Sequence, residues 1–121
     1  MIQGAPPNIV ASTAGVYSSG AEEYQDEEAP TGPVSAYAKS KLRAEQSCRA
    51  AYTQHGVPCT VLRLFNVYGP GQRPPFLVPH VVASIAADKP FKLKMPIAIR
   101  DFVFVLDVAS AFVSSVVSQD R

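Results

Sequence analysis

Hydrophobic positions come in short runs along this chain, each closed by polar or turn-forming residues. The first, NIVAST (8–13), is apolar and ends in two hydroxyls. It reads as a buried strand of a parallel sheet, with Ser12 and Thr13 at its C-terminal end. Residues 18–33 are polar and carry Glu22, Glu23, Asp26, Glu27 and Glu28, which predicts a solvated acidic loop. From Val34 or Ser35, small and apolar residues recur at helical spacing: Ala38, Leu42, Ala44, Cys48, Ala51 and Tyr52. The pattern predicts a helix that starts after Pro33, stops at Gly56 and lies close to a sheet through its small residues.

CTVLRLFNVYG (59–69) is β-branched and apolar and ends in a Gly-Pro-Gly turn at 69–71, which predicts the next strand. FLVPHVVASIAAD (76–88) predicts a helix with Pro79 in or near its first turn. FKLKM (91–95) alternates like a half-buried strand. RDFVFVLDVASAFVSSVVSQ (100–119) opens as a strand or extended segment and passes into an apolar helix, with Asp107 as the expected N-cap. The order β, α, β, α, β, α predicts an α/β architecture around a parallel sheet. Three strands leave faces and edges in need of cover, so the pattern predicts part of a larger unit.

Composition narrows the function. The 121 residues suffice for one small domain, and 47% hydrophobic residues exclude a disordered chain. A net charge of +1 excludes a general affinity for nucleic acid or acidic membranes. No run approaches the roughly 18 apolar residues of a membrane span, and MIQGAPPNIV lacks the charged and apolar regions of a signal peptide. A cytoplasmic location is expected. Cys48 and Cys59 then read as two small buried thiols in a reduced compartment, without the spacing of a metal site. His55 reads as a loop residue and His80 as a helix residue.

One stretch carries chemistry. In SAYAKSKLRAE (35–45), Tyr37 stands four residues before Lys41, so the two share a helix face. A free tyrosine ionises near pH 10, and an ammonium held beside it favours the phenolate. Such a pair can serve as a general base. A hydroxyl at the end of an adjacent strand, where Thr13 stands, could orient a substrate oxygen. Spacing alone leaves an exposed helical pair as the alternative.

Four motifs in fixed order decide between these readings: STAGVYSSG, SAYAKSK, RLFNVYGPGQRP and RDFVFVLDVASA. From about Asn8 to Val117 the chain resembles the C-terminal part of the Rossmann region of extended short-chain dehydrogenases/reductases, in the NAD-dependent epimerase/dehydratase branch. The resemblance implies a partial Rossmann-like, doubly wound parallel sheet. It implies a catalytic triad of Thr13, Tyr37 and Lys41, and a cofactor site of Ser12, Tyr37, Lys41 and Phe65. The cofactor implied is NAD, with NADP left open. Asn66 and Arg100 match residues that contact the diphosphate of a nucleotide-sugar substrate, a role suited to a planar multi-donor cation. A loop-capping amide for Asn66 and a salt bridge to Asp101 for Arg100 stay open beside those roles. A homodimer is implied for the full-length parent.

Departures from the family pattern sharpen this. Thr13 is followed by Ala14 and Gly15, where the 4,6-dehydratases carry an Asp-Glu pair. That favours epimerase, reductase or decarboxylase chemistry. KMPIAIRD lacks the family's Gly-Asp-Gly turn, and Phe76 stands where nucleotide-sugar enzymes often have an asparagine. The G-x-x-G-x-x-G phosphate loop is absent from the 121 residues. Residues 1–121 are therefore expected to be a partial domain without its dinucleotide-binding half, inactive alone. The second reading is a remnant or interaction module that has lost cofactor binding.

Overall fold

The computed structural model describes residues 8–18, 24–94, 96 and 98–117. Strand β1 (Asn8–Thr13) runs parallel to β2 (Cys59–Leu64), with Ser12 opposite Arg63 and Thr13 opposite Leu64. Helix α1 (Ala36–His55) crosses between them and packs against both. Its ends follow the sequence signals closely. The Ser35 hydroxyl accepts from the amide of Ala38, and Gly56 closes the helix at φ 69° in the left-handed region that glycine favours. His55 is thus the last helical residue rather than a loop residue.

The expected strand over 59–69 is two strands. The chain breaks at Phe65, and β3 (Asn66–Tyr68) leaves β2 to pair in parallel with β4 (Phe102–Phe104). The described residues therefore form two two-stranded parallel sheets instead of one three-stranded sheet. Period-2 patterning cannot reveal this break, because the apolar run continues through it.

Helix α2 (Leu77–Ala86) has Phe76 at its N-cap and Pro79 in its first turn. Helix α3 (Val105–Val117) follows β4 directly. Asp107 lies inside its first turn and is not the N-cap, a position that still favours a negative charge at the positive end of the helix dipole. Residues 91–94 form no strand; they are exposed and irregular, and Met95 lies outside the described residues. Two lysines in five residues and no neighbouring strand leave that segment without a ladder to join. In the acidic loop, Asp26, Glu27 and Glu28 are exposed, whereas Glu22 and Glu23 lie outside the described residues.

The core among the described residues is small: Val16 and Ala38, with Ser12 and Glu45 buried beside them. Cys48 and Cys59 are half-buried free thiols, less enclosed than expected, and burial followed by contact with Cys48 pushes the Cys59 thiol up. Large apolar side chains stand exposed on α2 (Val82, Ile85) and α3 (Leu106, Val113, Val116). No helix among the described residues is long and apolar enough to cross a membrane.

Candidate active site

Three pieces of backbone end at one place. β1 finishes at Thr13, whose hydroxyl caps a short 3₁₀ turn by accepting from the Gly15 amide at 3.2 Å. α1 starts at Ala36, so Tyr37 and Lys41 occupy its first two turns. β2 ends and β3 begins around Phe65, which presents Phe65 and Asn66 between the two sheets. The ends of parallel strands are where α/β folds build sites, because side chains there converge without interrupting a ladder.

The result is a cleft of about 390 Å³. Ser12, Thr13, Tyr37, Lys41, Phe65, Asn66 and Arg100, all the site residues expected from the sequence, line it. Lys41 and Arg100 are its charged side chains, and no carboxylate lines it among the described residues. Such a cleft favours an anionic ligand.

The individual geometries differ in kind. The Lys41 ammonium donates to the Ala11 carbonyl at 3.0 Å and lies 5.7 Å from the centre of the Tyr37 ring. That is within cation–π range. An ammonium has three donors, so two remain beyond the Ala11 bond. Tyr37 is 60% exposed, which leaves its phenol open to the cleft. Phe65 packs against Tyr17 with ring centres 6.5 Å apart.

Ser12 and Asn66, like Thr13 and Lys41, have structural bonds. The buried Ser12 hydroxyl donates to Glu45 and is engaged there. Asn66 donates its side-chain amide to the Asp101 carbonyl at 2.8 Å, with its backbone amide reaching the same oxygen at 3.1 Å. It therefore ties the strand ends as a capping amide would. Arg100 makes no ion pair with Asp101; Arg63 and Glu45 form the ion pair among the described residues.

That pair was not anticipated. Glu45 accepts from Arg63 Nη2 at 2.8 Å and Nε at 3.2 Å, and from Ser12. Burial alone would raise the Glu45 pKa. The Arg63 and Ser12 hydrogen bonds and the guanidinium charge outweigh it and hold the carboxyl below its ordinary value. The hydrogen bond to Glu45 in turn pushes the Arg63 guanidinium further up. Arg63 also lies 4.9 Å over the Tyr17 ring and donates to the Glu27 carbonyl. Two signals were present: an arginine inside the apolar run CTVLRLF, and a glutamate eight residues after Tyr37 on the same helix face.

The profile of the NAD dependent epimerase/dehydratase family matches residues 2–120. Over 107 residues the chain is 30% identical to human dTDP-D-glucose 4,6-dehydratase (Homo sapiens), covering 88% of this chain and 31% of that protein. It is 33% identical over 124 residues to UDP-glucose 4-epimerase of Azospirillum brasilense, covering 87% and 35%. Among solved structures it superposes on UDP-glucuronic acid 4-epimerase of Bacillus cereus, in complex with UDP-glucuronic acid and NAD, with a TM-score of 0.79. That match has 29% identity and covers 90% of this chain and 35% of the other. The chain thus spans about a third of the length of the curated relatives it matches.

Proposed function

This chain belongs to the NAD dependent epimerase/dehydratase family, and from that premise we propose that it carries the catalytic half of an NAD-dependent nucleotide-sugar epimerase site. The observation that carries the reading is the convergence of Thr13, Tyr37, Lys41, Phe65, Asn66 and Arg100 on one cleft that no carboxylate lines among the described residues.

The donor set fits one end of a dinucleotide. Lys41 has two donors beyond its bond to Ala11, Tyr37 has an open phenol and Phe65 offers an aromatic wall. Lys41, Tyr37 and Phe65 would hold the nicotinamide and its ribose, and the Ser12 backbone would lie alongside, since the Ser12 hydroxyl is engaged with Glu45. Nicotinamide, when bound, supplies the hydride acceptor and donor. Among the described residues the pyrophosphate end has no matching cradle. Helices α1, α2 and α3 are entered through GPVS, RPPF and DFVF, none of them a glycine-rich turn.

The chain's own residues would then work on a sugar hydroxyl. Tyr37 takes its proton and later returns it. Thr13 shares a hydrogen bond with the same oxygen and orients it. Lys41, fixed by the Ala11 carbonyl, keeps a positive charge beside the Tyr37 ring, where negative charge develops as the proton moves. Arg100 supplies a second positive charge for the substrate diphosphate, with Asn66 beside it.

Relatives of both dehydratase and epimerase type match this chain. Ala14 and Gly15, in the 3₁₀ turn directly after Thr13, bring no acid to assist loss of water. That supports the epimerase reading, with reductase or decarboxylase chemistry as its nearest relatives. The exposed apolar residues of α2 and α3 and the one-third span of the relatives support a half-domain that needs a second body to complete it. NAD titrated calorimetrically into the isolated 121 residues tests this. A dissociation constant of millimolar or weaker is expected, and micromolar binding would overturn the half-site reading.

A further inference from the structure

Glu45 is a buried acid with no part in the proton transfer described above; it meets the cleft directly at Ser12 and leads to Phe65 through Arg63 and Tyr17. Tyr37, Lys41 and Glu45 stand at successive four-residue steps along α1, on one face. Lys41 grips the Ala11 carbonyl and Glu45 grips the Ser12 hydroxyl, so two adjacent turns of the helix hold two adjacent residues of β1. A slide of α1 along β1 by one turn, about 5.4 Å, would break both bonds at once. On the other side Glu45 holds Arg63, which is paired with Ser12 across the sheet. Arg63 lies over Tyr17, and Tyr17 packs on Phe65.

We propose that Glu45 is a positioning residue for the Tyr37 site: through Ser12 it sets the α1 wall carrying Tyr37 and Lys41, and through Arg63 and Tyr17 it sets the opposite wall carrying Phe65. This rests on the reading of the cleft as the reaction site, but the contacts themselves do not depend on it. A carboxylate suits the task because it accepts from several donors at once, here a hydroxyl and a two-pronged guanidinium. An amide at the same place accepts through one oxygen and presents its own N–H groups to Arg63.

The test reads the assigned ring resonances of Tyr37 and Phe65 by NMR in the 121-residue chain, with thermal unfolding followed in parallel. Glu45→Gln is expected to shift both rings at a temperature where the variant is fully folded. Ser12→Ala is expected to shift Tyr37 and leave Phe65 in place. Arg63→Lys, which keeps the charge and loses the fork, is expected to do the reverse. Gln46→Ala, exposed and adjacent on α1, is the control that moves neither. Both rings unmoved in folded Glu45→Gln would overturn the proposal. So would Ser12→Ala and Arg63→Lys moving both rings alike in step with lost stability. If Glu45→Gln does not fold, the Ser12 and Arg63 variants decide the matter on the same criterion. No cofactor or sugar enters the experiment, so failure here is separable from failure of the epimerase reading.

Discussion

The Lys41 ammonium reaches 3.0 Å across to the Ala11 carbonyl, so the cation beside Tyr37 is fastened to the strand that presents Thr13. Tyr37 itself is 60% exposed and supports little else. In a longer polypeptide joining these residues to a dinucleotide-binding half, Tyr37→Phe should lower turnover by about 10²–10⁴-fold, the range for loss of a general acid–base group. The thermal midpoint of the same variant should stay near that of the parent, since surface substitutions usually cost less than about 0.5 kcal/mol. Steady-state rates and a melting curve check both halves of the prediction.

Acid should undo part of the fold through Glu45. Its folded pKa is held below the ordinary 4.5, so its stabilising contribution is fully present above the unfolded value. That contribution is lost as the pH falls through the folded value. Urea midpoints measured at about pH 7 and about pH 3 should therefore drop more steeply for the parent than for Glu45→Gln, which has no carboxyl to protonate. Equal pH slopes in the two proteins would contradict this.

Gly69 lets the end of β3 pass against the start of α3. A methyl there would collide with Val105 Cγ1 and lie 3.0 Å from Val105 Cβ. Gly69→Ala should destabilise by about 1–3 kcal/mol, the usual cost of overpacking. Gly69→Ala with Val105→Ala should recover part of it. Thermal unfolding of the single and double variants measures both.

Asn66 should prove to be structural. Its side-chain amide holds the Asp101 carbonyl at the entry to β4. Asn66→Ala should cost about 0.5–1.5 kcal/mol, the net value of one such bond, visible as a lower denaturation midpoint without any ligand. An unchanged midpoint would contradict this.

Local signals in the chain were legible where they act over short distances. Ser35 and Gly56 mark the ends of α1, and the NIVAST run marks β1, because caps and apolar runs are properties of adjacent residues. The ordered motifs singled out seven of the residues that line the cleft. What stayed hidden depends on distant partners. Ser12 and Glu45 are 33 residues apart, and no periodicity announces that their side chains meet. The break at Phe65 is equally silent, since β2 and β3 are apolar alike and only their partners, β1 and β4, differ. Residues 91–94 alternate as a strand would, but alternation needs a neighbouring edge to become one.

NMR mapping of the isotope-labelled chain, with NAD and UDP-glucose added at millimolar concentration, reads the cleft itself. That concentration populates even a weak half-site. Shifts are expected to concentrate at Thr13, Tyr37, Lys41 and Phe65 with NAD, and to extend to Asn66 and Arg100 with the nucleotide sugar. Shifts confined to other surfaces would contradict this.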